Sequence, residues 1–325
     1  MIEAEEKTAQ QQVSQKWPSS FKPSRAAAIK LIQKGGDGQN DQPFIYQTAH
    51  FELRSLTELS QRDLSHFATT AESVPSVLAR LPLPLLGMPK DAAGNDALGK
   101  VLIYPDEESF LKAGGPHGAA GYYSGRQQAI MLRADTFLSP PPRAGSKLPP
   151  KANYDLLVHE FTHLCMHRDL GQLPVWFTEG TAEYIAAAHE NKGVYQFSNI
   201  TASIRKHILK NLPLDKEFVV LPSIEETMSL THKTWKERIE TGSAEDHYRS
   251  YATSLLIIHT LFHGGEKRLN ITRSFLDQIH ARKRLSDPIP VLIPPSDRMK
   301  LQKMIVNHWK PRGLRLKFSP IPSAP

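Results

Sequence analysis

The chain reads as an α+β protein, with a mixed sheet in its front half and mostly helices behind. Three observations carry that expectation. Apolar residues alternate at the strand period in FIYQTAHFELRS, VLIYP and QQAIMLRA, all before residue 135. Helical spacing interleaves with these runs, so the front half goes strand, helix, strand, helix. Beyond residue 190 almost every pattern is helical, as in ITASIRKHILKNL, YRSYATSLLIIHTLFH and LNITRSFLDQIHARK.

In chain order, residues 1–42 are polar, with GGDGQNDQ at 35–42 reading as a linker, and flexibility is expected there. FIYQTAHFELRS is expected to form a half-buried strand. TELSQRDLSHFATTAESVPSVLARL follows as a helix, with Thr57 as its cap. VLIYP at 101–105 is a short strand and DEESFLKAG the next helix. GYYSGRQQAIMLRAD has two β-rich runs about SGRQQ and reads as a hairpin or strand-loop-strand. A proline-rich loop, SPPPRAGSKLPP at 139–150, then leads into VHEFTHLCMHRD. There is no repeat of fixed period. The expected organisation is a flexible segment 1–42, a half 43–190 with the chemistry, a helical half 191–312 and a tail 313–325.

Composition bounds the rest. In 325 residues, 40% hydrophobic and 8% aromatic, there is enough apolar material for a sizeable core in one to three domains. No apolar run approaches the length of a membrane span, and the start, MIEAEEKTAQQQVSQKW, is acidic and polar, so neither a membrane segment nor an export signal is expected in the chain. The single cysteine, Cys165, excludes an internal disulfide and a cysteine-based zinc knuckle. Flanked by Leu164 and Met166, it is expected in the core. The net charge of +7 is spread out, with small clusters in HARKRL and KPRGLRLKF and none of the usual nucleic-acid-binding patterns. It reads as a solvated surface, with an anionic substrate or cell-wall surface the partner it would suit; no nucleic acid is expected.

The chemistry concentrates in VHEFTHLCMHRD. Residues four apart on a helix lie on one face about 6 Å along the axis, so His159 and His163 can reach one ion. Glu160 is rotated about 100° from His159, beside such an ion and placed to take a proton from its water. His167 lies roughly 12 Å up the helix from His159, too far to share that ion, and reads as a helix-end residue. Asp169 stands ten residues after His159, where the metzincin arrangement places its third ligand, but that arrangement needs a glycine at position 166 and the residue is Met166.

The stronger third ligand is in LPVWFTEGTAEYIAAA. Glu179 and Glu183 are four apart among apolar residues, beside a glycine that permits close helix packing. Buried without a cation, both would cost several kcal/mol. A helix crossing the first could aim Glu179 at the ion, with Glu183 accepting the free ring N–H of a ligand histidine.

His159, Glu160 and His163 followed by WFTEGTAEY resemble the gluzincin metallopeptidases, especially the peptidase-MA-like bacterial family. The resemblance implies a zincin-like fold, a catalytic half over 43–190, Zn²⁺ as cofactor, His159, His163 and Glu179 as its ligands, Glu160 as general base and a peptide or protein substrate. It also favours an exported setting. The sharp motifs cover about 30 residues, with looser similarity from about 44 to 265. Fifteen residues separate His163 from Glu179, fewer than in aminopeptidase N-like enzymes and thermolysin, and the exopeptidase signature is replaced by GAAGYYSG. Tyr251 resembles the tyrosine that donates to the oxyanion in aminopeptidase N-like enzymes, with Tyr248 and His247 in reserve. As in zincins, an edge strand should lie above the helix; Gln127–Ala134 is the candidate, with Tyr122 and Tyr123 bordering the cleft. The alternative function is a non-catalytic protein that keeps this scaffold to bind a partner or cell-wall polymer.

Overall fold

The computed structural model describes residues 16–35, 42–125, 127–137, 154–215, 217–241, 243–281 and 292–319. The linker core at 36–41, the proline-rich loop at 139–150 and the last six residues of the tail lie outside the described residues, as does the chain before residue 16. Within the segment expected to be flexible, β1 (Ser20–Phe21) and β2 (Lys30–Gln33) pair with β9 and β3 of the folded body, defined below. Trp17 also packs beside Tyr184 and Phe262.

FIYQTAHFELRS is two strands, not one: β3 (Phe44–Gln47) and β4 (Phe51–Ser55) form an antiparallel hairpin turned at Thr48. Both keep the alternating burial of a half-covered sheet. Helix α1 (Gln61–Leu78) begins three residues later than Thr57 suggests. Ser60 is its cap, because the Ser60 hydroxyl accepts the Asp63 N–H. Leu64, Phe67, Ala71, Val74 and Leu78 recur at helical spacing on its buried face. β5 (Gly99–Tyr104), α2 (Glu107–Lys112), β6 (Gly121–Ser124), β7 (Ala129–Arg133) and the short α3 (Ala134–Phe137) follow.

The main sheet runs β2-β3-β4-β5-β7-β6, with β4, β5 and β7 parallel and the other pairs antiparallel. It is a mixed sheet with helices, an α+β architecture. The strand in Gln127–Ala134 is therefore interior. The edge on this side is β6, because GYYS folds back antiparallel onto AIMLR and has no second strand partner among the described residues.

Helix α4 (Tyr154–Cys165) packs on β6 and β7 and between α1 and α6. The helix stops at Cys165; Met166 has φ −101° and ψ 6°, and a separate turn, α5 (His167–Leu170), leads to α6 (Val175–Ala188). Every residue of α6 except Glu179 is buried, as expected of a helix apolar on all sides. Strands β8 (His189–Asn191) and β9 (Val194–Gln196) form a second small sheet with β1. The helical region contains α7 (Ile200–Asn211), β10 (Val219–Leu221), α8 (Ile224–Ser229), α9 (His232–Thr241), α10 (Ala244–His263), α11 (Glu266–His280) and α12 (Pro295–Trp309), and β11 (Leu316–Phe318) closes it by pairing with β10.

The joint between the two regions is α6 against α10. A Cβ on Gly180 would sit 2.5 Å from the Ser254 carbonyl oxygen, so only glycine lets the two backbones approach this closely. Among the described residues no helix is long and apolar enough to cross a membrane.

Candidate metal centre

His159 and His163 sit on α4 among Leu157, Val158, Phe161 and Leu164, and both rings are buried. Their Nε2 atoms are 3.1 Å apart, and Oε2 of Glu179 lies 3.2 Å from the first and 3.3 Å from the second. A tetrahedral zinc with ligands at about 2.0–2.1 Å separates neighbouring donors by roughly 3.3 Å. The three atoms thus form one face of such a tetrahedron, and these residues are the group of described side chains able to hold a metal ion. The donor set, two imidazoles and a carboxylate, suits Zn²⁺ and leaves a fourth position for water.

Glu183, one turn after Glu179, stands behind His159. Its Oε1 is 2.9 Å from His159 Nδ1, and its Oε2 is 2.7 Å from Nε2 of His207 on α7. The Tyr248 hydroxyl donates to Oε2 at 3.2 Å. A proton on His159 Nδ1 faces a carboxylate here, which leaves the Nε2 lone pair directed into the donor triangle.

Electrostatics follow from burial and sign. Burial pushes the Glu179 carboxyl up, but His163 and His159 outweigh it and bring the group down to about 2. Burial opposes Glu183 in the same way, and its contacts with His159 and His207 win, holding it below the usual carboxylate range. For Glu160 the outcome reverses. Burial dominates over the opposing pull of His159 and His163, and its carboxyl is raised. Burial would lower His159, yet Glu179 and Glu183 raise it well above the ordinary histidine value. The field that favours a proton on His159 favours any cation at the centre of the triangle.

Tyr251, on α10, has its ring edge-on 5.9 Å from His159 and 5.1 Å from Trp235. Burial, with Glu179, Glu160 and Glu183 adding to it, raises its phenol well above the usual value and keeps it a donor. Tyr248 is a partner of Glu183. His247 has a buried Nε2 without a partner among the described residues and lies outside the donor group. Asp169 is not at the metal position: its Oδ2 is 2.6 Å from Nε2 of His280, a contact that ties α5 to α11. Cys165 is fully buried, and burial raises its thiol.

His167 is not a free helix-end residue. Its Nδ1 bonds the hydroxyl of Tyr123 on the edge strand, and the Tyr123 ring lies 6.3 Å from that of His163. The Tyr123 backbone N–H also helps to hold Glu160 ionised. Tyr122 points outward and is exposed. His207 is the residue that sequence reasoning missed. The signal was there: it falls three residues after Ile204 and beside Ile208, on the buried stripe of α7.

Neither a scan against protein-family models nor a search of curated proteins returns a match for this chain.

Proposed function

We propose that the chain is a zinc-dependent metallopeptidase of gluzincin type on a zincin-like scaffold, hydrolysing peptide bonds in an exported setting. The observation that carries this is the donor triangle of His159, His163 and Glu179, with sides of 3.1 to 3.3 Å. When bound there, Zn²⁺ supplies Lewis acidity, lowering the pKa of water and polarising a carbonyl.

The chain's own groups do the rest. Glu160 is buried beside the triangle with a raised carboxyl, suited to accept a proton from water and return it to a leaving amine. Glu183 orients His159 and fixes which ring nitrogen is free. Tyr251 keeps its proton and can donate to the oxyanion that develops on the attacked carbonyl. The outer side of β6, apart from the Tyr123 N–H that Glu160 accepts, offers an extended peptide backbone groups with no strand partner among the described residues, beside the helix that holds Glu160.

The test is metal analysis of the purified chain alongside cleavage of a peptide library with and without a chelator. One zinc per chain and chelator-sensitive cleavage are expected. Glu160→Gln should keep the zinc and lower kcat/KM by about 10²–10⁴-fold. Undiminished cleavage in that variant rejects Glu160 as the base. Zinc without any cleavage leaves the alternative, a scaffold that binds a partner or cell-wall polymer.

A further inference from the structure

A groove of about 720 Å³ lies between the N-terminal segment and α1, and none of its lining residues belongs to the metal centre. One wall is a stripe on α1. Thr69, Ser73 and Ser76 recur at helical spacing over roughly 10 Å, and Arg80 stands just beyond the helix end. The opposite wall is the coil at 22–28 together with β2, from which Lys30 and Ile32, two residues apart, share one face.

Its charge is one-sided. Lys22, Arg25, Lys30 and Arg80 line it, and none of the four forms an ion pair among the described residues. Arg80 is held over the Phe21 ring at 4.8 Å, so its charge is fixed at the groove by an aromatic face. The carboxylate in the lining, Glu72, is already engaged: it accepts the His50 backbone N–H at 2.8 Å and lies 2.5 Å from the His50 ring. Four positive charges therefore line one groove in a chain whose whole net charge is +7.

A second feature selects the shape of the ligand. β2 is a terminal strand of the six-stranded sheet, so its outer backbone N–H and C=O groups have no strand partner among the described residues. Its Leu31 and Ile32 are 51% and 57% exposed, an apolar pair on an open edge. An extended polypeptide can pair with such an edge through its main chain, which a phosphate polymer or a lipid headgroup cannot do. We propose that this groove binds an acidic peptide segment in extended form, its backbone along β2 and its carboxylates on Lys22, Arg25, Lys30 and Arg80. The site is independent of the metallopeptidase assignment and would serve a partner protein or hold an acidic substrate away from the metal centre.

The test is fluorescence anisotropy at low salt on the full chain, with a labelled glutamate-rich peptide, its glutamine-substituted twin and inorganic polyphosphate. The acidic peptide should bind, and the twin about tenfold more weakly or worse. Reversal of three exposed cations, Lys22→Glu, Arg25→Glu and Lys30→Glu together, should weaken binding about tenfold or more and flatten its salt dependence. Arg25→Glu alone, on an exposed coil residue, should weaken it about threefold. Reversing Lys300, Lys303 and Lys310 changes net charge equally but lies on and next to α12, and should change binding less than about twofold. Equal weakening by the two triple variants, equal affinity for the glutamine twin, or tighter binding of polyphosphate than of the peptide would each overturn the proposal. Peptide cleavage is not read in this experiment, so a catalytically inert chain would leave the outcome unchanged.

Discussion

Two histidine pairs of the same spacing each lie within one helix, His159/His163 on α4 and His259/His263 on α10, with ring centroids 4.8 Å and 5.1 Å apart. Their surroundings have opposite sign. Around the first pair stand Glu160, Glu179 and Glu183, and His159 is raised despite its burial. Around the second stand His308, Arg312 and the aromatic rings of Trp17, Tyr184 and Trp309, and no carboxylate among the described residues contributes. Burial there, reinforced by positive neighbours, lowers His259 to about 2 and His263 to about 4. The Tyr184 hydroxyl, 2.7 Å from His263 Nε2, supplies a neutral partner. Spacing brings two imidazoles together, and the sign of the groups facing them decides whether a cation is welcome.

The largest effect should come from removing one ring of each pair. His163→Ala should abolish bound zinc, while His263→Ala should leave one zinc per chain; plasma emission on dialysed protein distinguishes them. If both variants kept their zinc, the contrast between the pairs would fail. Glu183→Gln should weaken zinc about 10–100-fold, because His159 loses a carboxylate behind its ring, and a competitive chelator titration measures this. Gly180→Ala separates packing from chemistry. Forcing α6 off α10 should cost about 1–3 kcal/mol in a denaturant titration.

The smallest effect concerns acid stability. His259 and His263 are neutral in the fold, so as pH falls below about 6.5 the unfolded chain gains protons that the folded chain refuses. Stability is lost on acidification, and each histidine steepens that loss by at most about 1.4 kcal/mol per pH unit. His263→Gln should therefore flatten the slope of stability between about pH 6.5 and 4. A slope unchanged by this substitution would mean that His263 is not held neutral.

Much of the site was legible because it is local. The i, i+4 period of α4 fixes His159 and His163 on one face, and a charged pair inside the apolar run of α6 demands a partner for each carboxylate. The role of His207 was not legible in the same way: its contact with Glu183 joins residues 24 apart in sequence. Thr57 and Ser60, three residues apart, are both able to cap α1, and the structure uses Ser60. AIMLR and GYYS both look like strands, and neither sequence reveals which side its partner occupies, so the edge is not legible locally.

By itself the sequence determined the periodic features: alternating strands before residue 135, helices after 190, and two imidazoles four residues apart. Local backbone geometry is enough for these, since 3.6 residues per turn or two per pleat sets them whatever the rest of the chain does. Only the tertiary structure decided that Glu179 closes the triangle while Asp169 turns to His280, that β6 and not β7 is the edge, and that the second histidine pair stays neutral. Each of those depends on which charges and backbones are brought together from distant parts of the chain, and Coulomb energy and close packing act through distance in space, not along the sequence.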